Sequence, residues 1–331
     1  MIRALLPGLG LLVAGLMLAS LLIGPAQVGA RESLGALVLG DRGPLSLVMR
    51  EIRLPRAVLG ALVGAALGLS GAAMQGYLRN PLAEPGLIGV SGSAALGAVI
   101  ALQTGLAAAH ALALPGLALL GAVGAVSLLL LLAGPRGASL TLILAGIAVS
   151  ALAGAATALV LNLSPNPFAA AEIVFWTMGS LADRSWSHVA LSAPFIALGA
   201  VALLTLGRGL DALTLGEDAA EALGVGLMRL RLTLVAGVAA AVGAATAVAG
   251  AIGFVGLVVP HILRPLVGAR PSRLLPASAL GGAALVLAAD IAVRLILPDR
   301  DLKLGVVMAL VGAPLFLHLI WRTRRELEGL R

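Results

Sequence analysis

The chain has 331 residues, 60% of them hydrophobic and 11% charged, with a mean hydropathy of +1.09. A soluble domain is roughly half apolar and a quarter charged, so this composition excludes a water-soluble globular domain and makes lipid the solvent. The charge of +7, from 22 Lys+Arg against 15 Asp+Glu, does not indicate nucleic acid, because the basic residues flank apolar runs and aromatics are only 3%; the absence of cysteine excludes a disulfide framework, a thiolate metal site and a Cys nucleophile.

Hydropathy predicts about ten spanning helices separated by Pro and Gly punctuation. They cover 4–24, 54–76, 86–106, 114–133, 140–161, 189–206, 232–251, 254–267, 274–297 and 304–321. The first follows Arg3 and precedes Val28-Gly29-Ala30, a small-residue pattern that also suits signal cleavage. Its apolar core exceeds the roughly 7–15 residues of a signal peptide, so a retained helix is expected. The eighth is short and carries Pro260 and His261, so it should be broken or tilted. No period-two pattern of an outer-membrane barrel occurs. The expectation is an all-α polytopic protein, one membrane domain over 1–331.

With Arg3 on the cytoplasmic side, the tail with Arg322, Arg324, Arg325 and Arg331 lies there too. So do Arg136 and the loops 208–231 and 264–273, as the positive-inside rule prefers. The bias is weak, because Arg31, Arg42, Arg50, Arg53, Arg56, Arg184, Arg294, Arg300 and Lys303 fall outside. Those outer arginines need a separate explanation.

An internal repeat is present. Gly64-Ala65-Ala66, Gly71-Ala72 and Pro81 recur at one fixed offset as Gly243-Ala244-Ala245, Gly250-Ala251 and Pro260. An odd number of crossings separates the copies, so the two halves run in opposite directions. Inverted repeats suit transporters, since half-sites facing opposite sides permit alternating access. The 43 glycines, with Gly64, Gly68 and Gly71 at helical spacing, favour close backbone packing where lipid supplies no hydrophobic drive.

Catalytic chemistry is missing from the residues. The single lysine, Lys303, is followed by Leu304, which excludes a phosphate loop of the G-x-x-x-x-G-K-[ST] type. His110, His188, His261 and His318 lack metal-ligand spacing, and no G-x-S-x-G elbow occurs. No catalytic residue and no metal ligand is assigned. Asp290 stands four residues before Arg294 in a predicted helix, and a self-neutralising pair near the outer edge is expected. So few buried acids argue against a proton-coupled secondary carrier, which stays the alternative.

Longer motifs carry a resemblance. Arg53-Leu54-Pro55-Arg56 is followed by Gly64-Ala65-Ala66-Leu67, Ser70-Gly71, Gln75 and the run from Arg79-Asn80-Pro81-Leu82-Ala83-Glu84 to Pro85-Gly86. Leu144-Ala145-Gly146, Phe175-Trp176-Thr177-Met178-Gly179-Ser180, Leu215-Gly216-Glu217 and Leu223-Gly224 come next. The series ends with Gly250-Ala251-Ile252-Gly253-Phe254-Val255-Gly256-Leu257, Pro260-His261, Arg264, Ala289-Asp290 and Arg294. In this order the series resembles the permease subunits of the type II ABC importers for cobalamin, haem and iron–siderophores, over nearly the whole chain.

The resemblance implies a ten-span subunit of the bacterial inner membrane that works as a homodimer. Two ATPase subunits would bind below, supplying ATP and Mg, and one periplasmic substrate-binding protein above; this chain would hold no cofactor of its own. Matching positions give Arg53, Arg56 and Arg294 as docking residues for acidic groups on the binding protein. The segment 210–231, with Leu215, Gly216, Glu217, Ala220, Leu223 and Gly224, matches the ATPase-coupling helices. Asn80, Pro81 and Leu82 with Ser139 and Thr141 match a cytoplasmic gate. Asn162 to Phe168, with Pro165 and Pro167, would line the outer mouth, and a short helix would run on to Ser180. The family's Glu-Leu-Pro before the last span is replaced by Asp301-Leu302-Lys303-Leu304. Haem or an iron–siderophore is the expected cargo, cobalamin the next.

Overall fold

The computed structural model describes residues 2–24, 29–39, 43–110, 112–133, 139–164, 167–296 and 302–328. Among the positions read above, Val28, Arg42, Arg136, Pro165, Arg300, Asp301 and Arg331 lie outside these residues. All regular structure among the described residues is helical. The first half comprises α1 (Ile2–Leu22), α2 (Ala30–Leu39), α3 (Pro44–Leu47), α4 (Leu54–Leu78), α5 (Val90–Gln103), α6 (Leu106–Ala109), α7 (Ala113–Ala133) and α8 (Ser139–Asn162). The second comprises α9 (Pro167–Thr177), α10 (Trp186–Thr205), α11 (Gly207–Leu213), α12 (Glu217–Ala222), α13 (Leu227–Ala249), α14 (Val255–Leu263), α15 (Pro271–Ile296) and α16 (Leu304–Glu328).

Each predicted span falls on one of these helices. Seven stretches of described helix are long and apolar enough to cross a bilayer, among them a continuous rod from Pro44 to Leu78 in which a π-helical turn, Val48–Arg53, joins α3 to α4. Two spans are shorter than the hydropathy suggested, and each has a local cause. Pro85–Ile88 winds as a 3-10 turn and Gly89 takes φ +76, so α5 starts late. The left-handed Phe254 and Pro265 bound α14 on either side. The last span, α16, runs beyond its predicted end, to Glu328. The short helix expected before Ser180 is α9, stopped ahead of the left-handed Gly179.

The centre is made by α4 and α13, each 78% buried over its most apolar stretch, against 11–28% for α1, α7, α8 and α10. Around that centre the packing partners are invariant under one exchange: α4 with α13, α5 with α14, α7 with α15, α8 with α16. Thus α4 packs on α15 as α13 packs on α7; α5 on α7 as α14 on α15; α13 on α5 as α4 on α14. The two halves also run oppositely, because Leu210 lies against Gly76 at the end of α4 while Gly209 abuts Leu230 at the start of α13. This is an inverted repeat, as the recurring small residues of α4 and α13 suggested, although Pro81 precedes α5 whereas Pro260 lies inside its partner α14.

Small residues make the close contacts possible. Gly64 and Gly68 of α4 face the backbone of Gly282 and Ser278 in α15, and Gly71 faces Gly256 in α14. The α5–α7 contact is built the same way, with Gly97 against Leu117 and Gly121 against Ser93. Close backbone approach of this kind is how helices associate in lipid.

Candidate functional site

One end of the bundle gathers the arginines expected on the outer face. Arg53 is buried, and its guanidinium donates to the carbonyls of Leu21 (2.8 Å) and Leu22 (3.2 Å), the last of α1. Arg294 donates to Ser20 O (2.9 Å), Ile23 O (2.6 Å) and Ser20 Oγ (2.7 Å). Two cations thus satisfy the carbonyls that a helix C-terminus leaves open, where the helix dipole favours positive charge. Asp290 sits beneath them, with 3% of its side chain exposed, paired with Arg294 at 3.0 Å. Arg56 completes the group, its Nη2 2.7 Å and its Nε 3.1 Å from Asp290 Oδ1. The i,i+4 pair forms as expected. The third member was not foreseen, because Arg56 and Asp290 are 234 positions apart. The three expected docking residues are therefore already engaged inside the chain, joining α1, α4 and α15. Beside them Trp186 donates to Arg50 O at 2.8 Å, and Arg50 reaches Leu37 O on α2.

The opposite end carries α11 and α12. Gly216 (φ +114) and Gly224 (φ +84) flank α12 in conformations that L side chains rarely adopt, so these two glycines set its limits. Ala220 is fully buried, whereas Leu215 is 70% and Leu223 65% exposed, with Glu217, Asp218 and Glu221 on the surface between them. The platform is fastened to the core: Asp211 accepts from Ser272 N (2.9 Å) and Ser272 Oγ (2.6 Å) at the start of α15. Leu210 lies against Gly76 of α4. The exposed Arg79–Glu217 pair, at 3.9 Å, adds little.

Beside this end, the connection from α4 to α5 is an Asx turn: Asn80 Oδ1 accepts from Leu82 N at 2.9 Å, with Asn80 and Pro81 exposed. The structure packs the following segment on α8 two to three turns in, through Gly89 against Val149 and Ser150 Oγ against Gly86 O (3.4 Å). Ser139 and Thr141 open α8, and Asn162 closes it, exposed, at the other end. No hydrogen bond among the described residues joins Asn80 or Leu82 to Thr141.

Sequence reasoning missed a junction between the two halves. Glu84 Oε1 accepts the N–H of Phe254 at 2.7 Å, holding that residue in a left-handed conformation (φ +67) that costs an L residue about 1–2 kcal/mol. Gln75 donates to Gly256 O (3.2 Å) and accepts from Arg264 Nη2 (2.6 Å). A cavity of about 200 Å³ lies here, lined among others by Glu84, Ser91 and Gly253. Both helices that start here, α5 and α14, are short, and they are exchange partners in the repeat. Paired interruptions of this kind mark functional sites in inverted-repeat transporters. The available signals were Gln75 inside the apolar α4 and Glu84 directly before Pro85-Gly86.

Burial raises the Glu84 pKa above its ordinary 4.5, and the Phe254 hydrogen bond opposes this. Between the unfolded value and the higher folded one, the native state binds more protons than the unfolded chain. The stability tied to Glu84 is thus full below about pH 4.5 and is lost as pH rises through the folded value. Glu84→Gln should flatten that slope in denaturant titrations run at several pH values. Glu84→Ala should cost about 1–3 kcal/mol by orphaning the Phe254 N–H. A slope identical in the Gln variant would assign the pH effect to another group.

The FecCD transport family matches residues 11–322 of this chain. The chain is 38% identical to the hemin transport system permease protein HmuU of Yersinia pestis, over 84% of each chain. It is 41% identical to the vitamin B12 import system permease protein BtuC of Vibrio cholerae, over 82% of each. Its fold superposes with TM-score 0.85 on an inward-facing metal-chelate type ABC transporter structure, at 34% identity, covering 97% of this chain and 99% of that one.

Proposed function

Because this chain belongs to the FecCD transport family, the multi-pass permeases of metal-chelate type ABC importers, we propose that it carries a metal chelate across the bacterial inner membrane at the expense of ATP hydrolysed by separate subunits. Haem or another iron complex is the first choice of cargo and cobalamin the second, following the named relatives. The periplasmic binding protein does the choosing, since an apolar path offers few polar contacts for selection.

The observation that carries the proposal is the inner platform. A short helix, α12, with exposed leucines on either side, backed by α11, which Asp211 pins to α15 and Leu210 to α4, is shaped to receive an external push and pass it to the central helices. In this reading Leu215, Gly216, Glu217, Leu223 and Gly224 seat in the ATPase, and Ala220, buried beneath them, anchors α12 to the chain's own core. ATPase closure tilts α4 and α15, and the cavity alternates between outward and inward access. Asn80, Pro81 and Leu82 with Ser139 and Thr141 form the inner closure, and Asn162 lies at the outer mouth. Two copies assemble through α8 and α16, exchange-related helices that expose Leu144, Ile147, Leu152 and Leu159 on one and Leu310, Val311 and Leu317 on the other.

Docking at Arg53, Arg56 and Arg294 is chiefly a matter of shape: these residues hold the α1–α4–α15 corner on which the binding protein would rest. Arg56, whose side chain is 19% exposed against 8% for Arg294, is the one best placed to add a contact to a partner carboxylate.

Leu223→Asp tests the reading in proteoliposomes with the ATPase and binding protein. The complex should fold but lose cargo uptake, because a charge replaces an apolar anchor. Full uptake by this variant, or uphill uptake by the lone chain under a proton gradient, overturns the proposal, the second in favour of a secondary carrier.

A further inference from the structure

A second cavity, of about 270 Å³, opens at the end of the bundle that holds Arg53 and Arg294. Its walls come from the end of α5 (Leu102), α6 (Ala108), the start of α7 (Pro115), the segment before α10 (Arg184), α10 itself (His188) and the end of α13 (Ala247). Most of the lining residues are small or aliphatic, but the polar groups of Arg184, His188 and the backbone make up about half of the exposed wall. Arg184 stands out: its Nε is buried and makes no hydrogen bond, and among the described residues no carboxylate forms an ion pair with it, although the charge of the neighbouring Asp183 acts on it. An unpartnered buried donor on a guanidinium is costly and calls for an acceptor. His188 adds a second donor. Its Nδ1 accepts the N–H of Ser185 (3.3 Å), which leaves the proton of the neutral ring on Nε2.

The surroundings say what kind of acceptor fits. Helices α7 and α10 both pack on α13 and scarcely touch one another, which leaves room for a cleft between them. Its lips expose Leu120 and Val123 on α7 and Phe195, Leu198 and Val201 on α10, large apolar groups that belong in hydrocarbon. The cavity lies at the head of this cleft, beside Trp186, an indole at the level where membrane interfaces carry their aromatic residues. A hydrocarbon cleft headed by a guanidinium with an unmet donor matches the two chemistries of one phospholipid. Guanidinium takes two phosphate oxygens in parallel, and basic notches between spanning helices recognise anionic headgroups.

We propose that Arg184, with His188, binds the phosphate of an anionic phospholipid whose acyl chain lies in the α7–α10 cleft. The volume suits a glycerophosphate headgroup and not a whole lipid. The assignment rests on the membrane-spanning fold alone and is independent of the transport reading.

Native mass spectrometry of the whole chain released from neutral detergent tests it, with phosphatidylglycerol and phosphatidylcholine as the probes. Wild type should take its first phosphatidylglycerol at roughly 5-fold lower concentration than phosphatidylcholine, the gain expected from one basic residue near an anionic headgroup. Arg184→Gln should erase the preference, Arg184→Lys should keep part of it, and Arg79→Gln, at the opposite end, should leave it whole. No preference in wild type, or an equal one in Arg184→Gln, overturns the proposal. Displacement of the lipid by excess inorganic phosphate also overturns it, because the notch would then read a free anion. If Arg184→Gln cannot be purified, the wild-type preference and the phosphate competition decide.

Discussion

Replacing Asp290 with alanine should cost the fold about 3–5 kcal/mol, the loss typical when one partner of a buried ion pair is removed and its counter-charge stays behind. Here two counter-charges stay behind. Arg56 and Arg294 both lean on the same carboxylate, and Arg294, only 8% exposed, cannot turn to water without breaking its bonds to Ser20 and Ile23. Arg294 also holds the end of α1 through Ser20 and Ile23, so the damage should spread to that helix first. Denaturant titration in detergent should show the full loss. Limited proteolysis should find the α1–α2 connection cut faster. Asp290→Asn keeps shape and acceptor but not charge, so it should fall between. A cost under about 1 kcal/mol for Asp290→Ala would mean that the two guanidiniums find water or lipid phosphate at no penalty, and that the site is surface and not core.

The same residues mark where a sequence stops being legible. The spans could be read because each is long and apolar, and the repeat because small residues recur at one offset; both are local patterns. Asp290 and Arg294 could be paired because four positions on a helix bring side chains together. Arg56 could not be added without knowing that α4 lies antiparallel on α15, which follows only from backbone contacts such as Gly64 on Gly282. Arg53 illustrates the opposite difficulty. Its position at the head of a span suggests an outward cation, yet its guanidinium turns back to the carbonyls of Leu21 and Leu22, because a helix end in an apolar setting needs donors more than the solvent needs charge. The platform was legible as a polar interruption, and Gly216 and Gly224 marked its limits. Its attachment to α15 through Asp211 and Ser272 spans 61 positions and leaves no local trace. Nor does the Glu84–Phe254 bond, which joins the halves across 170.

Gly71→Ala should be the most damaging single-methyl change in the chain, at or beyond the upper end of the roughly 1–3 kcal/mol usual for overpacking. The added Cβ would overlap the carbonyl and Cα of Gly256, and backbone cannot swing aside as a side chain can. Gly256 has no slack either: a Cβ there would stand 3.0 Å from Leu67 O and 2.8 Å from Pro85 Cδ. The contact is also a crossroads, because Gly256 O accepts from Gln75 and α14 begins at the residue before it. Pushing α14 outward would lengthen the Gln75 bond, loosen the Gln75–Arg264 bond and drag Phe254 off Glu84. A double mutant with Glu84→Ala should therefore lose less than the sum of the two single losses, since the first change already spoils what the second removes. Gly8→Ala, at a position with nothing within 4 Å, is the control and should leave stability unchanged or slightly raised. Equal stability of the Gly71 and Gly8 variants would show that α4 and α14 are free to separate. The core would then be looser than the contact between these two glycines implies.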